Sequence, residues 1–256
     1  MSRQFTADLK GQARTALLGK WAFLAGVFLL EFLFNVILEE IVGMAFPGVS
    51  FGITVDGHIV FSVPRILCMV IIGLLSTILS VGSMFLYLNI CRGKSFRFQD
   101  LFYGFTHQPE RIAAYYAVMT IISIVFGGIP AVFLFMVSFK GDAIRIIGFV
   151  VSTVICLVGY LYFSLRYTIF PFLYVDTPWK TSRILLEQSR WMMEGHKMRY
   201  LYLQLSFAGM LVLGILSFGV GMIWIGPYVT MTNTEFYLDL VERCSQEEGE
   251  FDYGNI

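Results

Sequence analysis

The chain has 256 residues, of which 57% are hydrophobic and only 14% are charged. Soluble domains average about 25% charged residues, so this composition argues against a soluble fold and favours an all-α, polytopic membrane protein. Lysine and arginine number 18 and are balanced by 18 acidic residues, which gives no reason to expect a nucleic-acid partner. The 4 cysteines show no CxxC or Cys/His spacing, so neither a disulfide framework nor a metal site is predicted, and no cofactor is expected.

Three basic segments predict amphipathic helices that lie on the membrane surface. In residues 1–20, apolar residues recur every four positions on one helical face, with basic residues between them. Residues 92–111 are basic and rich in Phe and Tyr, which suits a short helix at headgroup level. Residues 176–199 carry a stripe of alternating charge, and Thr177 followed by Pro178 is typical of a helix start.

Six apolar segments predict transmembrane helices. The clearest, residues 112–139, contains no Asp, Glu, Lys, Arg or His, and a span needs only about 20 apolar residues. The sixth segment carries Pro227 and several polar residues, so it is either a full span that faces the bundle interior or a partly inserted segment. The predicted spans are residues 21–46, 66–91, 112–139, 146–167, 200–217 and 221–242.

The spans and their connections predict a single integral membrane domain over residues 1–243. Residues 244–256 are acidic with few apolar residues, so we expect this tail to be disordered. Between the first two spans, apolar and β-branched residues flank Asp56-Gly57, a pattern that predicts a short β-hairpin.

The basic residues predict how the protein lies in the membrane. If the six spans alternate in direction, every Lys and Arg except Arg65, Lys140 and Arg145 falls on the side of the two termini. By the positive-inside rule, both termini and all three interfacial helices are cytoplasmic, and the hairpin is extracellular. The sequence therefore predicts a multi-pass protein of the cell membrane.

Polar residues inside the spans are the candidates for a functional site. Glu31, Asn35 and Glu39 lie at positions i, i+4 and i+8 and form one polar stripe on the first span. Glu31 lies roughly 15 Å past Trp21, near the middle of the bilayer. Intramembrane acids usually face the bundle interior or a water-filled cavity, so Glu31 is either a proton- or cation-handling group or a structural hydrogen-bonding acid. Arg166, at the far end of the fourth span, is the remaining candidate and is long enough to reach the interface.

A second candidate feature is a helix break in the third span. Gly127, Gly128 and Pro130 fall near its middle, and proline removes one helical hydrogen bond and clashes with the preceding turn. Broken helices line binding sites in transporters, whereas a simple kink serves packing alone. Both interpretations remain open from the sequence.

Several short motifs are spread along the chain in order, and their main residues are Asp100, Phe102, Gly104, Gly195, His196, Lys197, Pro227 and Tyr228. Together these motifs resemble those of a bacterial integral-membrane family, domain of unknown function 975. The resemblance covers nearly the whole chain and implies no established activity. The chain is also distantly similar to the membrane domains attached to some bacterial glycerophosphodiester phosphodiesterases, which implies a lipid-linked setting. Ala131 departs from the family pattern, in which Gly often follows Ile-Pro, and this weakens a specialised role for the break.

The function favoured by these patterns is that of a non-enzymatic accessory, scaffold or lipid-binding membrane protein. The three histidines of the chain, His58, His107 and His196, are isolated in the sequence, and the sequence contains no phosphate-binding loop or nucleophile elbow motif. The alternative is a transporter or permeation component that uses the polar stripe, and an intramembrane lipid enzyme is the third hypothesis. The expected partners are the bilayer, anionic headgroups at the cytoplasmic face and a further membrane protein.

Overall fold

The computed structural model describes residues 6–47, 51–53, 59–139 and 143–252, and most of them are helical. A short strand pair and a 3₁₀ helix, Phe98–Phe102, are the other regular elements described. The strands are β1 Phe51–Ile53 and β2 Ile59–Phe61. The α-helices are α1 Thr6–Leu17, α2 Trp21–Ala45, α3 Val63–Cys91, α4 Tyr103–Thr106, α5 Pro109–Phe139, α6 Ala143–Tyr167, α7 Phe170–Asp176, α8 Ser182–Met192, α9 Lys197–Leu205, α10 Ala208–Leu216 and α11 Met222–Asp252.

Five helical segments in the described part of the chain are long and apolar enough to cross a membrane. They correspond to the first five predicted spans, and α9 and α10 together form the fifth. The sixth predicted span corresponds to α11, which is not among the five. The five segments are Trp21–Ala45, Val63–Cys91, Pro109–Leu134, Ala143–Asp176 and Lys197–Leu216.

Helix α11 lies in the centre of the protein core, beside α3. It packs against α1, α2, α3 and α10. The side chains of Met231, Phe236, Tyr237 and Leu240 are at most 1% exposed. Because its surroundings are protein on several sides, α11 needs no continuous apolar surface toward lipid.

Helix α1 uses its apolar face for contact with the rest of the protein. Leu9, Ala13 and Leu17 are buried, and α1 packs along α11. The apolar residues that recur every four positions in this segment therefore belong to the protein core. The placement of α1 on the membrane surface stays a prediction.

The pair α5–α6 contrasts with this core. These two helices pack chiefly against each other, and no residue in the most apolar window of α5 is buried. Their outward faces carry large apolar side chains such as Ile121, Ile147 and Val158. Such faces are expected of helices whose solvent is hydrocarbon.

The predicted break in the third span is absent, because α5 continues through Pro130 as one helix. Proline removes a single hydrogen bond, and packing against α6 holds the chain on both sides of it. Phe126 lies against Gly159 of α6, and its ring centroid is 5.5 Å from that of Phe163. The prediction of a helix break at Gly127, Gly128 and Pro130 is therefore wrong, and a local kink there stays a prediction.

The prediction of one helix over residues 176–199 is also wrong. The segment forms α8 and the first residues of α9, with a turn between them. Helix α8 begins at Ser182, after the predicted start at Thr177-Pro178, because Arg111 donates hydrogen bonds to the backbone carbonyls of Pro178 and Lys180 and holds this stretch as a turn.

Two further predictions concern the C-terminal tail and the segment between the first two spans. Helix α11 extends to Asp252, so residues 244–252 are helical where we expected disorder. The Arg243 guanidinium donates to the Asp239 carboxylate one helical turn earlier, which supports continuation of the helix at this point. Strands β1 and β2 pair antiparallel, with Phe51 opposite Phe61. The predicted turn at Asp56-Gly57 lies outside the described residues, and the extracellular hairpin stays a prediction.

Candidate functional site

A large cleft separates α2 and α3 from α5. Its volume is about 1180 Å³, above the roughly 300–1,000 Å³ of pockets that hold drug-sized ligands. Apolar side chains line most of it, and polar side chains from α2, α3 and α5, which we call the polar strip, lie among them. The principal polar residues of this strip are Glu31, Asn35, Ser76, Thr77, Thr120 and Ser123.

The cleft is long in the direction of the helices. On α3 its lining extends from Ile66 to Met84, which corresponds to about 27 Å along a helix axis. On α5 it extends from Tyr115 to Ala131, or about 24 Å. These lengths are close to the roughly 30 Å thickness of the hydrocarbon core of a bilayer. The cleft could therefore hold an extended chain.

Glu31 is the one carboxyl group among the described residues that line the cleft. Its Oε1 atom is buried and accepts no hydrogen bond from the described part of the protein. The Ser83 hydroxyl interacts with the same carboxyl group, and the Tyr87 phenol lies close enough to interact with it electrostatically. One oxygen of Glu31 therefore lacks a hydrogen-bond donor among the described residues.

Asn35 fixes the polar strip one turn further along α2. Its side-chain Nδ2 donates to the backbone carbonyl of Glu31 at 2.9 Å. Its side-chain oxygen accepts a hydrogen bond from the Ser76 hydroxyl and so joins α2 to α3. The spacing of Glu31 and Asn35 in the sequence predicted this shared face.

The other candidates for the intramembrane site lie elsewhere. Glu39 is exposed and does not line the cleft, so the predicted stripe contributes only its first two members. Arg166 is also absent from the lining and lies beside Tyr162 near the end of α6. Gly127 and Gly128 do line the cleft, whereas Pro130 does not.

The first family motif serves close packing between α3 and the segment that follows it. Asp100 accepts a hydrogen bond from the Arg97 backbone N–H at 2.8 Å, which caps the 3₁₀ helix. Gly104 lies against the backbone carbonyl of Ile78, where a Cβ atom would collide. Phe102 is 46% exposed and belongs to a group of outward-facing aromatic rings, which suits the membrane interface.

The second family motif forms the turn between α8 and α9. Gly195 has φ +83°, in the left-handed region that side chains rarely adopt, and this ends the preceding helical segment. His196 follows as the residue before α9. Lys197 begins α9, and its Nζ lies 4.3 Å from the centroid of the Tyr162 ring.

The third family motif belongs to the buried part of α11. Pro227 lies inside this helix, and the neighbouring Tyr228 is 3% exposed. The Tyr228 hydroxyl accepts a hydrogen bond from Arg14 Nε at 3.2 Å, and its ring packs edge-on against Phe207. This motif therefore fastens α1 and the start of α10 to the core helix.

Sequence reasoning missed a polar cluster at the end of α3. Arg92 forms two hydrogen bonds with Asp176, at 2.6 and 2.8 Å, and the Tyr237 hydroxyl donates to the same carboxylate at 2.7 Å. The hydrogen bond to Asp176 raises the pKa of the Arg92 guanidinium. A lone acid directly after the apolar run of α7 was the available signal. In the described residues no group of three or more His, Cys, Asp or Glu side chains could hold a metal ion.

One comparison with known proteins identifies a family. No curated protein and no solved structure matches the chain. The model of a family described as protein of unknown function, DUF975, matches residues 1–244. This match covers nearly the whole chain and includes all three motifs described above. The chain therefore belongs to the DUF975 family of proteins of unknown function.

Proposed function

We propose that this protein is a non-enzymatic, lipid-binding membrane protein that holds a neutral amphiphile in the cleft beside Glu31. The observation that carries the proposal is the cleft itself, which is about as long as a bilayer's hydrocarbon core and is lined mostly by apolar residues. An acyl chain fits such a lining. The polar strip then requires a ligand that also carries hydrogen-bonding groups.

The acidic side chain selects the class of headgroup. The free Oε1 of Glu31 accepts a hydrogen bond, so the ligand is expected to bring a donor such as a hydroxyl group. A phosphate at the same place would lie next to an acid, which disfavours an anionic lipid here. A neutral lipid with a free hydroxyl satisfies both requirements.

The side chains that line the cleft support a binding role. Among the described lining residues, Glu31 has no second carboxyl group, His or Cys beside it. General acid–base or nucleophilic catalysis commonly uses such a pair of groups. In this proposal the protein lies in the cell membrane and both of its termini are cytoplasmic. The distribution of basic residues supports this orientation.

The test compares two tryptophan substitutions on adjacent residues of α5. Thr120 lines the cleft, whereas Ile121 is 61% exposed on the outward face. The protein is purified in mild detergent, and native mass spectrometry identifies the lipids that remain bound. We expect the wild type and Ile121→Trp to retain one neutral, hydroxyl-bearing lipid, and Thr120→Trp to lose it because the indole fills the cleft.

Two results would contradict the proposal. Equal retention of the lipid by Thr120→Trp and Ile121→Trp would place the lipid outside the cleft. A retained lipid that is anionic at the headgroup and insensitive to Glu31→Gln would refute the assigned ligand class.

The unpaired Glu31 oxygen also supports transport as a second candidate function. An acid at this depth, in a cleft that runs along the helices, could bind a proton or another cation. Glu39→Gln is a matched control, since Glu39 lies on the same helix but is exposed and outside the cleft. In proteoliposomes with an imposed pH gradient, transport predicts a proton flux that Glu31→Gln abolishes and Glu39→Gln preserves. The lipid-binding proposal predicts no such flux.

A further inference from the structure

Most basic residues at the end of the bundle that contains Arg166 have polar partners in the structure. Arg92 pairs with Asp176 at 2.6 Å, and Arg199 pairs with Asp239 at 2.5 Å. Arg111 donates to two backbone carbonyls. These contacts balance the positive charge or satisfy its donors, so they need no external ligand.

Arg166 and Lys197 differ from these residues. Both are half-buried, and neither forms an ion pair or a side-chain hydrogen bond with any residue that the structure describes. The Nε atom of Arg166 is buried without a hydrogen-bond partner. Buried donors without partners are costly, so the Arg166 guanidinium lacks an acceptor that would stabilise it among the described residues.

The two cations converge on a single aromatic ring. Arg166 Cζ lies 5.5 Å from the centroid of Tyr162, and Lys197 Nζ lies 4.3 Å from the same centroid. The π face attracts each cation but carries no net negative charge. Two positive charges therefore lie beside one ring, and neither has an ion-pair partner among the described residues.

Three helices hold this arrangement in place. The Ser189 hydroxyl of α8 donates to the backbone carbonyl of Arg166 at 2.9 Å and ties α8 to the end of α6. The turn at Gly195 then brings Lys197 back to α6 as the first residue of α9. The site is thus built by contacts that do not depend on the arginine or lysine side chain.

We propose that Arg166, Lys197 and Tyr162 form a binding site for a phosphate group. A guanidinium, an ammonium and a phenol hydroxyl together offer several donors and two positive charges, which suit the oxygens of a phosphate. Exposed apolar side chains on the adjoining helix α9 continue from the site at positions i, i+4 and i+7. They are Met198, Tyr202 and Leu205, each more than 60% exposed, and they would contact the acyl chains of a phospholipid. This site is independent of the cleft and of the function proposed for it.

The experiment measures phosphate binding to the full-length protein in detergent. Short-chain phosphatidylglycerol, phosphatidylcholine and inorganic phosphate are titrated separately, and bound species are quantified by native mass spectrometry. The variants are Arg166→Gln and Lys197→Met, with Arg183→Gln as the control. Arg183 is an exposed cation of α8 that pairs with Glu187, so its loss removes the same charge outside the site.

Each site variant is expected to weaken phosphatidylglycerol binding about fivefold, the effect of one basic residue at a membrane surface. Arg183→Gln should bind within about twofold of the wild type, and the charge-preserving variants Arg166→Lys and Lys197→Arg should recover most of the affinity. Binding of phosphatidylglycerol with little binding of free phosphate identifies a lipid headgroup as the source. If inorganic phosphate binds equally well and the site variants weaken its binding to the same extent, the natural ligand is a soluble phosphate.

Two outcomes would overturn the site. Wild-type affinity in both Arg166→Gln and Lys197→Met would show that these side chains do not contact the phosphate. An equal loss in Arg183→Gln would show that only the general surface charge matters. Variants that fail to fold are identified by their thermal unfolding curves, and the charge-preserving pair then provides the comparison.

Discussion

Helices α5–α6 and helix α11 solve opposite problems with the same secondary structure. The α5–α6 pair is apolar nearly throughout, yet Ile155 and Val158 are more than 60% exposed. Helix α11 carries polar residues along its length, yet Tyr237 and Leu240 are at most 1% exposed. The more apolar region is thus the less buried one.

The comparison shows what hydropathy measures in this protein. Lipid tails are as apolar as leucine, so a helix in lipid gains little by burying its apolar face in protein. A helix surrounded by protein can instead carry polar groups, provided that each one has a partner. Helices such as α5 and α6, which are apolar but little buried, are therefore expected to have hydrocarbon as their solvent, whereas α11, which is polar and buried, is surrounded by protein.

The polar groups of α11 satisfy this condition. Asp239 accepts hydrogen bonds from Arg199 and from Arg243. The Thr232 hydroxyl donates to the backbone carbonyl of Tyr228 at 2.8 Å. Asn233 accepts a hydrogen bond from the Gln204 side chain at 2.8 Å. These contacts let α11 lie at the centre of the core without a continuous apolar surface.

The largest expected effect tests the buried helix. Leu240→Ala removes a side chain that is 0% exposed, and such a cavity in a packed core costs about 3–5 kcal/mol of unfolding free energy. Unfolding in mixed SDS micelles, followed by tryptophan fluorescence, measures the loss. A change below 1 kcal/mol would contradict the central position of α11, since a leucine facing lipid leaves no cavity.

The sequence predicts one side of this comparison well. The predicted spans 112–139 and 146–167 begin three residues after Pro109–Phe139 and Ala143–Tyr167 and end at the same residues, because long apolar runs have few other stable states. The position of α11 in the core was not predictable in the same way. Its burial depends on which helices become neighbours, and the composition and periodicity of one segment do not reveal them.

The candidate site shows the same division. The spacing of Glu31 and Asn35 along one helix predicted their common face, and both line the cleft. Glu39 continues the spacing but lies beyond the cleft. The positions of α3 and α5 determine where the cleft ends, and the periodicity of α2 does not. The opposite wall, including Thr120, comes from a distant segment and could not be assigned from sequence.

A charge in the middle of α6 tests the lipid-facing side. Ile155 lies at the midpoint of Ala143–Tyr167 and is 65% exposed. If hydrocarbon surrounds this face, Ile155→Lys costs about 2.5–3.5 kcal/mol on membrane-insertion scales. The fraction of protein correctly inserted, measured by protease protection of the membrane fraction, should fall accordingly. Normal insertion with improved solubility would mean that water is the solvent of this face.

The next smaller effect is expected where α5 and α6 pack against each other. Gly159 lies directly against Phe126, so Gly159→Ala forces the helices apart and should cost about 1–3 kcal/mol. Gly128 on α5 has open space at its Cβ position, so Gly128→Ala should be neutral or stabilising by up to about 1 kcal/mol. Thermal unfolding of both variants in one detergent provides the comparison. Equal destabilisation would indicate that a helical glycine matters here for backbone reasons and not for close packing.

The smallest expected effect is the counterpart of the largest. Leu157→Ala makes the same chemical change as Leu240→Ala, but Leu157 is 55% exposed on α6. Lipid tails fill the space left by the missing side chain, so no cavity forms, and the unfolding free energy should change by no more than about 0.5 kcal/mol. The same SDS titration measures both variants under identical conditions. If Leu157→Ala costs as much as Leu240→Ala, the outer face of α6 is covered by protein, and a second copy of the chain or another subunit must pack there.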